Sequence, residues 1–348
     1  MKRLFWIIAI GFAFISCKTE IKPRNISTFD IQEFKMDSTS IRTIVAIDEN
    51  TAYFAGSRGD FGHTKDAGKS WSTEFLIYKD SITPAFRSLA TNGKSFFALS
   101  VGNPALLYKL SSDSDKTELV YTEENEKVFY DSMKFFDAKN GIAIGDPTSG
   151  CMSLITTSDG GNSWTKIPCH KLPQSFDGEA AFAASNTNIK IIDNTIWFAS
   201  GGMKSRIYKS EDYGQTWRVF ETPIIQREST KGIYSIDFAD KNFGIAIGGD
   251  YLKPALNTGN KAITEDGGKT WTLIADGKNP NYKSCVQFVP NTNGKEIFAV
   301  GKTGISFSKD SGETWETVSE ESYYTIDFVD ENTAWLSGHE KIGKLTLK

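Results

Sequence analysis

Apolar positions along the chain fall in short runs separated by Gly, Asp, Asn and Ser, which is the spacing of many short strands. Residues 44–48, 133–137, 236–240 and 326–330 are strand-like and end in a turn. A second run follows each of them, at 52–56, 141–145, 244–248 and 334–338, and its small residues suit strands packed near a crowded axis. A third run, such as residues 206–209 or 304–307, leads into a recurring turn, and a fourth leaves it. The predicted unit is four antiparallel strands in succession, the make-up of a propeller blade.

The recurring turn reads S/T-x-D-x-G-x-S/T-W and occurs at residues 64–71, 157–164, 210–217, 264–271 and 308–315. Its carboxylates, Asp66, Asp159, Asp212, Asp266 and Asp310, and the flanking hydroxyls can bond the turn's own backbone, while the Gly supplies a positive φ. The first interval between copies is nearly twice the others. A decayed copy at residues 111–118 fills it, with Asp113 in place but Asp115 for the Gly and Glu118 for the Trp. Six units are thus accounted for. Residues 324–330, 333–338 and 342–347 supply three strands of a seventh, and residues 28–36, with Phe29, Ile31 and Phe34, supply its fourth. The expectation is an all-β, seven-bladed β-propeller over residues 28–348, built of four-stranded antiparallel blades and closed by the N-terminal strand. Six blades with a decorated end is the alternative.

The turn resembles the Asp-box, or BNR repeat, of sialidases and related propellers, in which it is a structural turn on the outer part of a blade. Box spacing and strand pattern together resemble the photosystem II assembly factor-like propellers over residues 28–348. That resemblance implies a protein-binding scaffold that helps to assemble a membrane complex. The sialidase resemblance implies instead a glycoside hydrolase with three arginines on a substrate carboxylate and a tyrosine activated by a glutamate.

The N-terminus changes the setting. Lys2 and Arg3 precede an almost wholly apolar stretch that ends in Ser16-Cys17, the layout of an export signal and too short to span a bilayer comfortably. Phe14-Ile15-Ser16-Cys17 resembles the lipobox of bacterial lipoproteins, with Phe14 in place of the commoner Leu. It implies a signal peptide over residues 1–16, a lipid on Cys17 with a tether over 17–27, and a cell-envelope location at the outer membrane of a Gram-negative bacterium. Export permits disulfides. Cys151 and Cys169 flank the middle of one turn symmetrically, so they are either a cross-strand disulfide or two buried thiols. Cys285 reads as a buried free thiol.

A net charge of −4 with both signs mixed presents no basic face, so nucleic acid is not an expected partner. The three His are scattered and no Cys pair has ligand spacing, so neither metal nor cofactor is expected. The chain is expected to be a monomeric propeller that binds a protein partner or a glycan. Loops that precede first strands or follow second strands reach one face of such a fold, and they nominate Arg42, Arg87, Asp146, Glu179, Asp250 and Tyr251 as polar anchors. No residue is assigned a catalytic role. The hydrolase is the alternative, with Arg42, Arg58, Arg87 and Arg227 as the available guanidiniums.

Overall fold

The computed structural model describes residues 24, 26–111 and 116–348; Cys17 and Asp113 lie outside them. Strands β1 (Phe29–Ala46), β2 (Ala52–Gly56), β3 (Asp60–Thr64) and β4 (Ser72–Phe75) pair in that order. The next sheet is β5 (Ala85–Thr91), β6 (Ser95–Val101), β7 (Ala105–Ser111) and β8 (Thr117–Glu123). It is followed by β9 (Tyr130–Phe135), β10 (Gly141–Gly145), β11 (Ser153–Thr157) and β12 (Thr165–Lys166). After a single 3-10 turn at Cys169–Lys171 come β13 (Glu179–Ala180), β14 (Ile189–Ile192), β15 (Thr195–Ala199), β16 (Gly201–Gly202), β17 (Arg206–Ser210) and β18 (Arg218–Glu221). Of these, β14, β15, β17 and β18 form one sheet. The short β13 and β16 join the sheet of β19 (Lys231–Phe238), β20 (Gly244–Asp250), β21 (Lys261–Thr264) and β22 (Thr272–Leu273). The remaining strands are β23 (Cys285–Phe288), β24 (Ile297–Gly301), β25 (Gly304–Ser308), β26 (Glu316–Ser319), β27 (Thr325–Phe328), β28 (Thr333–Ser337) and β29 (His339–Leu347).

Burial explains the order within each sheet. Second strands are buried along all or nearly all of their length, as in Ala52–Gly56, Gly141–Gly145 and Ile297–Gly301, because neighbouring sheets cover both their faces. Most fourth strands are short, and that of the first sheet, Ser72–Phe75, is exposed throughout, which blunts the outer edge against further pairing. The first strands lie side by side: β1 against β5, β5 against β9, β9 against β14, β14 against β19, β19 against β23, β23 against β27, and β27 against β1.

Strand β1 serves two sheets. Its first part pairs with β29, with Phe29 opposite Leu347 and Lys35 opposite Lys341; its last part pairs with β2. Phe29 packs on Phe298 and Phe307, and Phe34 on Trp71 and Trp335.

All five complete turns have one geometry, between the third and fourth strands. In the fifth sheet's copy, Asp266 Oδ1 accepts from Thr264 Oγ1 (2.9 Å), Lys269 N (3.0 Å) and Thr270 N (2.9 Å), and Oδ2 accepts from Thr270 Oγ1 at 2.7 Å. Gly268 N donates to Thr264 Oγ1 at 2.8 Å, closing the cage. A backbone bond ties each turn to the one between first and second strands of its own sheet, for example Gly267 N to Asn242 O and Ser311 N to Lys295 O. Each turn glycine then lies against the preceding sheet, Gly161 on Phe97 and Gly268 on Trp197. The turn is therefore a structural staple. Asp266→Ala removes its acceptor and is expected to cost about 1–2 kcal/mol, water replacing part of what is lost. A urea midpoint unchanged from wild type contradicts that role.

The structure joins Cys151 to Cys169 in a disulfide. The two do not face each other within a regular hairpin, since Cys151 precedes β11 and bridges to Gln174 while Cys169 opens the 3-10 turn. Cys285 is a buried free thiol.

Candidate functional site

Starts of first strands and ends of second strands meet on the face opposite the aspartate turns. Arg42, Arg87, Asp131, Tyr234 and Tyr324 occupy one equivalent position near the start of first strands, and Arg42, Arg87 and Tyr234 meet residues 182–184. Each of the five precedes a Ser or Thr and then an apolar residue, as in Arg42-Thr43-Ile44 and Tyr324-Thr325-Ile326. That triplet was the signal available in the sequence for Asp131, Tyr234 and Tyr324, which loop position alone did not nominate.

Residues 181–187, between β13 and β14, cross this space and are held from several sheets at once. Ala181 N donates to Asp146 Oδ1 at 2.8 Å, Arg87 Nη1 to Ala183 O at 3.4 Å, and Arg42 Nη1 to Ala184 O at 3.5 Å. Ser185 Oγ donates to Ser284 O at 2.7 Å and Asn186 Nδ2 to Leu89 O at 2.8 Å, while Asn186 Oδ1 accepts from Met133 N at 2.9 Å. The small side chains of Ala181, Ala183, Ala184 and Ser185 let the backbone pass, and Asn186 takes the left-handed φ of 59° that its short polar side chain tolerates. Phe182 stacks on Tyr234 with centroids 4.1 Å apart, and Tyr282 meets Tyr234 edge-on at 4.9 Å.

The electrostatics follow from burial. Asp131 is fully buried, and neither of its oxygens makes a hydrogen bond of normal geometry among the described residues. Burial, reinforced by Asp146, pushes its carboxyl well above the usual range, and Arg87 and the Ala183 amide only partly counter this. Burial raises Asp146 to about 6. Arg87 is lowered, first by burial and then by Arg42. The Arg42 guanidinium lies 4.1 Å from the Tyr324 ring centre and that of Arg87 5.8 Å from the Phe129 ring centre.

The six nominated anchors divide. Arg42, Arg87 and Asp146 converge on the crossing segment. Tyr251 is exposed at the edge of the same face, beside Tyr234 and Lys302. Glu179 and Asp250 are not free contact groups. Glu179 is buried in an ion pair with Arg206 and accepts from Ser200 and from Tyr208 Oη at 3.1 Å; Asp250 is buried and caps its own loop by accepting from Leu252 N at 3.0 Å. Both lie at a strand end next to a backbone that needs an acceptor, a demand invisible in loop position.

The Tyr–Glu pairing that a sialidase needs does occur, as a structural theme. Tyr130 Oη and Tyr121 Oη both donate to Glu123 Oε2 at 2.8 Å beside Lys166, and Tyr323 Oη donates to Glu33 Oε2 at 3.1 Å beside Lys341. With Tyr208–Glu179–Arg206 these form three clusters, each joining a tyrosine, a glutamate and a cation. Burial raises the phenol pKa of Tyr130, Tyr208 and Tyr323, the opposite of activation for attack. Among the described residues no cluster of three or more His, Cys, Asp or Glu is placed to hold a metal.

Beneath the crossing segment the central space continues as a polar well of about 50 Å³ lined by Lys134, Lys190, Asp237, Gln287 and Asp327. Lys190 pairs with Asp237 at 2.5 Å, and the half-buried Asp327 accepts from Ala46 N at 2.8 Å.

No protein-family model matches the chain, and no curated protein matches its sequence. Solved structures do resemble it. YCF48 bound to D1 peptide is 14% identical with a TM-score of 0.66, covering 93% of this chain and 100% of that one. YCF48 from Cyanidioschyzon merolae is 12% identical with a TM-score of 0.64, covering 92% and 99%. Virginiamycin B lyase from Staphylococcus aureus is 14% identical with a TM-score of 0.60, covering 92% and 100%. These are β-propeller proteins. At such identity the likeness defines the fold, a propeller of antiparallel sheets, and leaves activity open, since the neighbours include both an assembly factor and a lyase.

Proposed function

We propose that this chain is a lipid-anchored, extracytoplasmic propeller of seven Asp-box blades that binds a protein partner on the face carrying Arg42, Arg87 and Tyr251. The closed ring of seven is supported by β1, shared between the first and last sheets, and by the run of neighbouring first strands that returns to β1. Anchoring rests on the lipobox-like residues ending in Cys17 and places the protein at the outer membrane of a Gram-negative envelope.

The observation that carries the binding reading is the pair of half-buried guanidiniums set over aromatic rings in the centre of one face, with exposed Tyr251, Leu252, Leu256, Phe176 and Met203 around them. Arginine and aromatic side chains grouped in this way are the usual anchors of a protein interface. The solved neighbour YCF48 is itself bound to a peptide, which supports a protein partner over a glycan. The resemblance to photosystem II assembly factor-like propellers extends the proposal to a role in the assembly of a membrane complex.

Capture of the acylated full chain from its native membrane tests the reading. Tyr251→Ala with Leu252→Asp is expected to lower recovery of the co-purifying protein at least about tenfold, the loss of one strong interface anchor. Lys309→Glu, on the aspartate-turn face, is expected to leave it unchanged. Equal recovery in both variants, or turnover of a fluorogenic sialoside that is lost with Arg87→Ala, overturns the reading.

A further inference from the structure

We infer that the propeller stands with its aspartate-turn face toward the bilayer that anchors it and offers the arginine-bearing face to the side away from that bilayer. The inference rests on the lipid anchor proposed at Cys17 and adds to it the direction from which a partner must approach.

The carrying observation is where Arg24 is fastened. Its Nε donates to Glu296 Oε1 at 3.1 Å, its Nη1 to Glu331 O at 2.7 Å and to Asn332 Oδ1 at 2.9 Å, and its Nη2 pairs with Glu296 Oε2. Glu296 lies in the turn between β23 and β24, while Glu331 and Asn332 lie in the turn between β27 and β28. Both connect a first strand to a second, and the bond from Ser311 N to Lys295 O sets an aspartate turn beside the first of them. The Glu296 carboxylate is nearly inaccessible, at 7% exposure, so this ion pair is no loose surface contact. Ser27 N donates to Lys348 O at 2.6 Å, and Phe29 pairs with Leu347 at the same end of the last sheet. The chain therefore enters the fold from the aspartate-turn face.

Covalent reach then limits the orientation. Between Cys17 and Arg24 the backbone spans at most about 25 Å when fully extended. Strands as long as Lys231–Phe238, eight residues, separate the two faces by about 25 Å at about 3.3 Å per residue. To turn the arginine-bearing face onto the same bilayer, the tether would have to run taut up the outer edge and exhaust its whole reach. Full extension of that length of chain is entropically costly, and the opposite orientation does not require it. The loop at Tyr251 and Leu252 adds further height on the arginine side. A partner that reaches Arg42 and Tyr251 must consequently project well beyond the headgroups of the anchoring leaflet.

The acylated full chain in vesicles containing a lipid with a nitroxide headgroup tests this. A fluorophore is attached through Lys309→Cys, on the aspartate-turn face, or through Leu252→Cys, on the arginine-bearing face; both native residues are exposed. Quenching is expected to be at least threefold stronger at position 309 than at 252, and Arg24→Ala with Glu296→Gln is expected to narrow that ratio. Flotation with the vesicles but equal quenching, or stronger quenching at 252, overturns the orientation and leaves the anchor standing. Failure to float overturns the anchor and the inference together.

Discussion

Gly68→Ala is expected to destabilise the fold by about 3 kcal/mol, and Phe34→Ala by about as much, because the two residues meet where the first and last sheets share β1. Gly68 has a φ of +85°, and a methyl group there would sit 2.3 Å from Cζ of Phe34. Phe34 in turn is wedged between Trp71 and Trp335, each 6.1 Å away centre to centre. Gly93 provides the control, with the same φ of +85° and nothing within 4 Å of its added methyl. Gly93→Ala should therefore carry the backbone cost alone, about 1 kcal/mol. The double change Phe34→Ala with Gly68→Ala should cost at least about 1 kcal/mol less than the sum of the single changes, since removing the ring makes room for the methyl. Urea unfolding of the four variants decides the matter. If Gly68→Ala costs no more than Gly93→Ala, the junction is not packed as described.

What was legible in the chain and what was not divides along a physical line. The aspartate turns could be read because each is a local device: hydroxyl, carboxylate and glycine satisfy one another within a few residues, so the letters must recur wherever the turn does. Alternating Phe29, Ile31 and Phe34 marked a strand lacking a partner, and Phe29–Lys35 lies along β29. Long-range polar demand left no comparable trace. Nothing near Glu179 in the sequence announces Arg206, and nothing near Ala183 and Ala184 announces that Arg87 and Arg42 will donate to their carbonyls. Residues 181–187 escaped notice because a segment of small side chains looks like an ordinary loop. Its course across the centre depends on bonds to strands β1, β5 and β9 and to Asp146 and Ser284 beside two others.

The carboxyl pair under that segment predicts a stability optimum on the acid side of neutrality. Asp146 has a folded pKa of about 6, above its value in the unfolded chain. Its contribution is therefore fully present below about pH 4 and is lost as pH rises through about 6. The shift corresponds to at most about 3 kcal/mol, and buried Asp131 acts in the same direction. The turn carboxylates have the opposite sign. Hydrogen bonds from Ser70 hold Asp66 at about 2, and those from Ser163 hold Asp159 at about 2, so their support fades only as pH falls from about 4 toward 2. Wild type should be most stable near pH 4–5 and weaker at pH 8. Asp146→Asn keeps an oxygen to accept from Ala181 N yet cannot ionise, so it should gain about 1–2 kcal/mol at pH 8 and flatten the slope between pH 5 and 8. Arg87→Met takes away both the donor to Ala183 O and the cation that opposes the charge of Asp131. It is expected to cost about 3–5 kcal/mol at pH 8, where buried carboxylate charge is left without its partner, and less at pH 4.5, on the acid side of the Asp146 titration. Urea midpoints at pH 4.5, 6 and 8 read all three proteins. An Arg87→Met cost that does not change with pH would mean that the arginine serves packing alone, and an unaltered slope in Asp146→Asn would place the titrating group elsewhere.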